Sequence, residues 1–130
     1  MIWVDRRKFL ILGGTALAML PRRAAAATPF SAAAFADAQA ADKAILVEVS
    51  APWCPVCKVQ KPILARLLAD PRFAEYVQFE IDFDTRKDAL RTVNARVQST
   101  LIVFRGKDEI GRSLGDTNPA SIENLLSMAL

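Results

Sequence analysis

The sequence predicts an α/β domain with a mixed central β-sheet flanked by helices. Three observations lead there. Ala44–Ser50 is a near-continuous apolar run of strand length, as expected for a strand buried on both faces. Strand-like and helix-like patterns then alternate as far as residue 104, the signature of crossover connections and parallel pairing. Finally, two strand-like segments meet at Gly106-Lys107-Asp108, a turn that makes the last pair antiparallel.

Each element has a local cause. Ser31 is a capping residue for a helix over Ala32–Ala40, with Phe35 directed inward. After the Ala44–Ser50 strand, Cys54 and Cys57 open a helical pattern in which Val59, Ile63, Leu64, Leu67 and Leu68 form the apolar stripe, and Pro71 ends it. Tyr76–Phe83 alternates as a strand does. Arg86–Val93 reads as a helix closed by Asn94, a residue that tolerates the left-handed conformation. Thr100–Phe104 is a second buried strand, and Glu109–Leu114 returns antiparallel to it. Asn118-Pro119-Ala120 starts a last amphipathic helix carrying Ile122, Leu125, Leu126 and Leu130.

With 130 residues, 52% apolar and 24% charged, the chain has the balance of one small globular domain. It contains no histidine, which excludes Cys–His and Ser–His–Asp catalysis and His-ligated metal centres. Five of its 17 basic residues (Arg6, Arg7, Lys8, Arg22 and Arg23) fall within residues 1–27, leaving 12 basic against 13 acidic residues beyond. A nucleic-acid-binding patch is therefore not expected.

Residues 1–27 read as an address. Arg6-Arg7-Lys8 precedes a short apolar run from Phe9 to Leu20, followed by Pro21, Arg22, Arg23 and the alanines Ala24–Ala27. This order of charged, apolar and small-residue regions describes a cleaved export signal, and the apolar run is shorter than the ~20 residues that span a bilayer. The paired arginines before Lys-Phe-Leu resemble the twin-arginine export motif, with Asp5 a small departure from it. Cleavage is expected between Ala25 and Thr28, leaving residues 28–130 as the mature domain. The implied compartment is the periplasm, where disulfides persist.

Cys54-Pro55-Val56-Cys57 carries the chemistry. Two cysteines separated by two residues at a strand–helix junction put the first thiol at a helix N-terminus. Unpaired N–H groups and the helix dipole favour its thiolate there. The second sulfur lies one turn further on, within reach of a mixed disulfide. Pro55 suits the first helical turn, where its missing N–H costs nothing. An inert structural bridge is a weak alternative, because so short a loop adds little stability. A zinc or Fe–S site would need further cysteines or histidines, which this chain lacks, so that reading requires two chains sharing the same pair.

Residues 44–115 resemble thioredoxin. The match rests on Glu48 six residues before Cys54, Trp53 and Lys58 flanking the pair, Pro62 five residues after Cys57, the segment Ser99–Gly106, and Gly115. The resemblance implies the thioredoxin fold and a thiol–disulfide oxidoreductase needing no cofactor and no metal. It casts Cys54 as nucleophile and Cys57 as resolving thiol, the two forming a reversible disulfide. Glu48 is implied as proton acceptor for Cys57, with a strand-edge surface charge as the bland alternative. Trp53, Pro55, Ser99 and Thr100 would face substrate.

Two departures follow. Ser99 stands where the family has a cis-proline, and a non-proline cis bond costs ~2.5–4 kcal/mol, so residue 99 is expected to be trans or its loop rearranged. Glu80 aligns with the lysine that partners the buried acid, so one of Glu48 and Glu80 is expected to hold a proton near neutral pH. The expected partners are protein disulfide clients and a membrane electron donor or another thiol carrier, acting on a soluble monomer. With Pro-Val between the cysteines and no histidine, a reductant or intermediate exchanger is favoured over a strong oxidant.

Overall fold

The computed structural model describes residues 27–130 together with Gly14 and Ala18, so the expected export signal, apart from Gly14, Ala18 and Ala27, lies outside the described residues. Five strands and four α-helices follow in the order β1 (Thr28–Pro29), α1 (Ala32–Ala40), β2 (Ala44–Ser50), α2 (Pro55–Leu68), β3 (Val77–Asp82), α3 (Lys87–Thr92), β4 (Thr100–Arg105), β5 (Asp108–Leu114) and α4 (Pro119–Ser127). A 3-10 turn at Pro71–Phe73 links α2 to β3. Among the described residues no helix is long and apolar enough to cross a membrane.

The strands form one sheet in the order β1-β3-β2-β4-β5. β2 pairs in parallel with β3 and antiparallel with β4, which makes the sheet mixed and places β2 at its centre. All seven residues of β2 are buried, as its near-continuous apolar run predicts.

The period of two along the strands separates two cores. Ile45, Val47 and Val49 of β2 join Phe79, Ile81, Ile102 and Phe104 beneath α1 and α3. Ala44 and Leu46 face the other way with Leu101 and Val103, against Leu64, Leu67 and Leu68 of α2 and Ile122, Leu125 and Leu126 of α4. Residue 48 shares the parity of residues 44 and 46, so Glu48 lies on the α2 side of the sheet.

The expected boundaries hold closely, and the differences have physical reasons. Ser31 caps α1 by accepting from the Ala34 N–H. The α2 helix stops at Leu68, before Pro71, because the proline holds Asp70 in an extended conformation (ψ 133°). Asn94 closes the α3 segment in the left-handed region (φ 53°). Val59, expected in the buried stripe of α2, is 49% exposed, while Gln60 beside it is fully buried. Leu130 lies beyond α4 and is exposed.

Candidate functional site

Cys54 and Cys57 form a disulfide at the N-terminus of α2, with Cα atoms 5.3 Å apart. Both residues are buried. Cys54 is the N-cap of α2: its backbone is extended, and its Sγ accepts the Cys57 N–H at 3.1 Å. The sulfur that must carry negative charge in the reduced protein therefore already sits on an unpaired helix donor, where dipole and hydrogen bond act together. Pro55 occupies the first helical turn. Around the pair pack Ala51, Val56 and Phe83.

Residue 99 has a trans peptide bond: there is no cis bond among the described residues. Its loop is held another way. Ser99 takes a left-handed backbone (φ 59°), uncommon for a residue bearing a Cβ, and such a conformation persists only when neighbours enforce it. Its N–H donates to the Val49 carbonyl at 2.8 Å, and the Cys57 Sγ lies 3.9 Å from that same oxygen. Its carbonyl accepts from the Gly115 N–H at 3.0 Å and from Gln60 Nε2 at 3.1 Å, and its hydroxyl donates to the Gln98 carbonyl at 2.6 Å. The Ser99 loop is thereby fixed beside the disulfide.

Thr100 is buried, and its hydroxyl donates to the Val97 carbonyl at 2.8 Å, so its side chain supports the loop rather than presenting a surface. Trp53 is 54% exposed, and its indole Nε1 donates to Asp84 Oδ2 at 2.8 Å. Pro55 and Lys58 are exposed. Val97 and Leu114 are exposed apolar residues on either side of the Ser99 loop, Leu114 paired with Thr100 across the sheet and the Val97 carbonyl accepting from the Thr100 hydroxyl.

Glu48 is 2% exposed on the central strand, which rules out a surface charge at the sheet edge. Lys61 bridges it to Glu80, with Nζ 3.2 Å from Glu48 Oε1 and 2.9 Å from Glu80 Oε1. Gln78 Nε2 donates to the other Glu48 oxygen at 3.4 Å, and the Ser50 hydroxyl donates to Glu80 at 2.5 Å. Burial raises the pKa of Glu48, and Lys61 only partly offsets it. At Glu80 burial acts in the same direction but is outweighed by Ser50 and Lys61, so its carboxyl titrates below the usual range. Of the two acids, Glu48 is thus the one biased toward holding a proton. Lys61 follows Cys57 by four residues and lies on the same face of α2, one turn on, which brings the acid pair to the resolving cysteine's side of the helix.

Three residues of this arrangement escape a reading by motif: Gln60, Lys61 and Asp84. Gln60 and Lys61 carried a signal in their helical spacing, three and four residues after Cys57, with Gln60 on the buried face and Lys61 at its exposed margin. Asp84 carried none, because its meeting with Trp53 spans 31 residues.

The comparisons with known proteins agree with this geometry. The family model described as Thioredoxin matches residues 26–128. Thioredoxin-1 of Saccharomyces cerevisiae is 27% identical over 97 residues, covering 75% of this chain and 91% of that protein. Thioredoxin H2-1 of Oryza sativa is 29% identical over 73 residues, and the match spans about half of its length (51%). In a bifunctional thioredoxin reductase/thioredoxin of Mycobacterium leprae the match covers only 20% of the protein. Among solved structures, Trxlp from Edwardsiella tarda superposes with a TM-score of 0.75 at 42% identity, covering 78% of this chain and 98% of that one. The Malassezia sympodialis thioredoxin shares the fold with a TM-score of 0.72 at 20% identity, over 85% of this chain and 95% of its own.

Proposed function

The chain belongs to the thioredoxin family of thiol–disulfide oxidoreductases, with Cys54–Cys57 as its CxxC disulfide, and from that premise we propose that it is an exported exchanger reducing protein disulfides outside the cytoplasm. The observation that carries the chemistry is Cys54 as N-cap of α2, its sulfur on the Cys57 N–H. In the reduced protein the Cys54 thiolate attacks a client disulfide, forming a mixed disulfide and releasing one client thiolate. Cys57 then attacks Cys54 Sγ, losing its proton toward Glu48 in the molecules where that carboxyl is ionised; the raised pKa makes that carboxylate the stronger base. The second client thiolate leaves, and the enzyme ends as the Cys54–Cys57 disulfide. Two electrons pass to the client, and a membrane donor or another thiol carrier must return them.

The exposed apolar residues Trp53, beside the pair, and Val97 and Leu114, on either side of the Ser99 loop, suit an extended, partly apolar client chain. Export is supported by Arg6-Arg7 before the apolar run and by the alanines ahead of the first strand.

The test is reduction of insulin and of the small aromatic disulfide DTNB by the mature domain kept reduced with dithiothreitol. Cys54→Ser is expected to abolish exchange, and Cys57→Ser to accumulate the mixed disulfide. A wild-type rate no higher than that of dithiothreitol alone would overturn the proposal. For export, replacing Arg6 and Arg7 by lysine is expected to retain the full chain in the cytoplasm on fractionation, and unchanged delivery would refute the twin-arginine route.

A further inference from the structure

Gln60 has no role in the exchange chemistry, yet it is fully buried on the core-facing side of α2, where the helix otherwise carries Cys57, Leu64, Leu67 and Leu68. A leucine there would continue the stripe. The glutamine instead leaves one polar atom, Oε1, buried with no hydrogen-bond partner, which opposes folding. Its amide nitrogen makes two bonds, to the Ser99 carbonyl at 3.1 Å and to the Asp116 carbonyl at 2.9 Å. Both partners are acceptors only, so the amide orientation is settled by chemistry: flipping it would set Oε1 against two oxygens.

These two carbonyls belong to adjoining loops, one entering β4 beside the disulfide and one leaving β5, joined to each other by the Gly115 N–H on the Ser99 carbonyl. Gln60 therefore ties both to the helix that carries the cysteines, three residues after Cys57. The Ser99 carbonyl is used twice, by Gln60 and by the Gly115 N–H, and the Ser99 N–H holds Val49. No proline restricts this loop. Its left-handed residue is held by hydrogen bonds instead, and the helix contributes one of them.

We propose that Gln60 is a positioning residue for client binding: it clamps the Ser99 and Asp116 loops in the arrangement that a protein disulfide docks against. The inference rests on the exchange activity proposed above and adds a determinant of client affinity to it. On this reading a protein client docks along the Ser99 loop beside the disulfide, whereas a small disulfide needs only access to Cys54. Losing the clamp is therefore expected to affect the two substrates differently.

The experiment compares wild type with Gln60→Met, which keeps the volume and removes the amide together with its orphaned oxygen. With insulin, KM is expected to rise about tenfold, the scale of one or two lost neutral hydrogen bonds. With DTNB, kcat and KM should stay within about twofold. An unchanged KM for insulin, or an equal loss on both substrates, would overturn the clamp. A second measurement needs no variant: in the wild-type protein the Gln60 side-chain amide protons should exchange with solvent far more slowly than those of an exposed glutamine. Fast exchange refutes the clamp. Should the wild type reduce neither substrate, the exchange activity falls, and with it the clamp's role in client binding.

Discussion

Glu48 is the residue whose charge the sheet resists most. It is buried on the central strand, faces Lys61, Glu80 and Gln78, and has its pKa raised by that burial. A carboxyl whose folded pKa exceeds its unfolded value contributes stability while protonated, below the unfolded value, and loses it as pH rises through the folded value. Glu80, held low by Ser50 and Lys61, behaves oppositely and loses its contribution as pH falls through its depressed value. Glu48→Gln mimics the protonated acid. Urea unfolding should find it more stable than wild type at pH 8, with the advantage shrinking toward pH values below ~4.3, where the wild-type carboxyl is neutral in both states. The same variant should slow DTNB turnover at neutral pH by at least about tenfold, because the acceptor for the Cys57 proton is gone. A pH-independent stability difference would count against the raised pKa, and unchanged turnover against the proton-transfer role.

The starts of α1, α2 and α4 show how elements are specified one at a time. At α4, Asn118 accepts the Ser121 N–H at 3.0 Å and Pro119 takes the first helical position. Asn118→Ala should lower stability by about 1 kcal/mol, read as a shift of the urea midpoint with unchanged slope, while leaving DTNB turnover intact. Caps of this kind were legible in the sequence because donor and acceptor lie three residues apart, and so was β2, whose near-continuous apolar run leaves little choice but a central position. The phase of α2 was harder. Val59 and Gln60 are neighbours, and hydrophobicity alone puts Val59 inward. The structure turns it outward because Cys57, Leu64 and Leu67 set the buried face, and Gln60 falls on that face. Within the site, Cys54, Cys57, Glu48 and the departure at Ser99 could be placed by motif spacing. The Lys61 bridge, the Gln60 clamp and the Asp84–Trp53 bond could not, because each joins segments whose proximity only the folded sheet creates.

At the scale of the whole molecule, the boundary between the proposed export signal and the domain is a packing question. Thr28–Pro29 pairs with β3, and the chain then buries Phe30 with its ring centroid 5.2 Å from Phe35 and 5.8 Å from Phe79. The Phe30 N–H donates to the Glu80 carbonyl at 2.8 Å, and its own carbonyl accepts from Arg86 at 2.8 Å. Cleavage anywhere between residues 25 and 28 spares all of these contacts, whereas a cut after Phe30 removes a core aromatic and leaves its cavity in the face beneath α1 and α3. A domain starting at Thr28 should therefore unfold as one cooperative unit. A domain starting at Ser31 should lose about 3–5 kcal/mol, the usual cost of deleting a buried phenylalanine, from a total of only ~5–15 kcal/mol. The comparison is a pair of urea titrations on the two truncations, with Phe30→Ala in the longer one to separate the ring from the backbone pairing. If the domain starting at Ser31 matched the longer one, Phe30 would contribute nothing to the fold's stability, and its packing would set no limit on the proposed cleavage boundary.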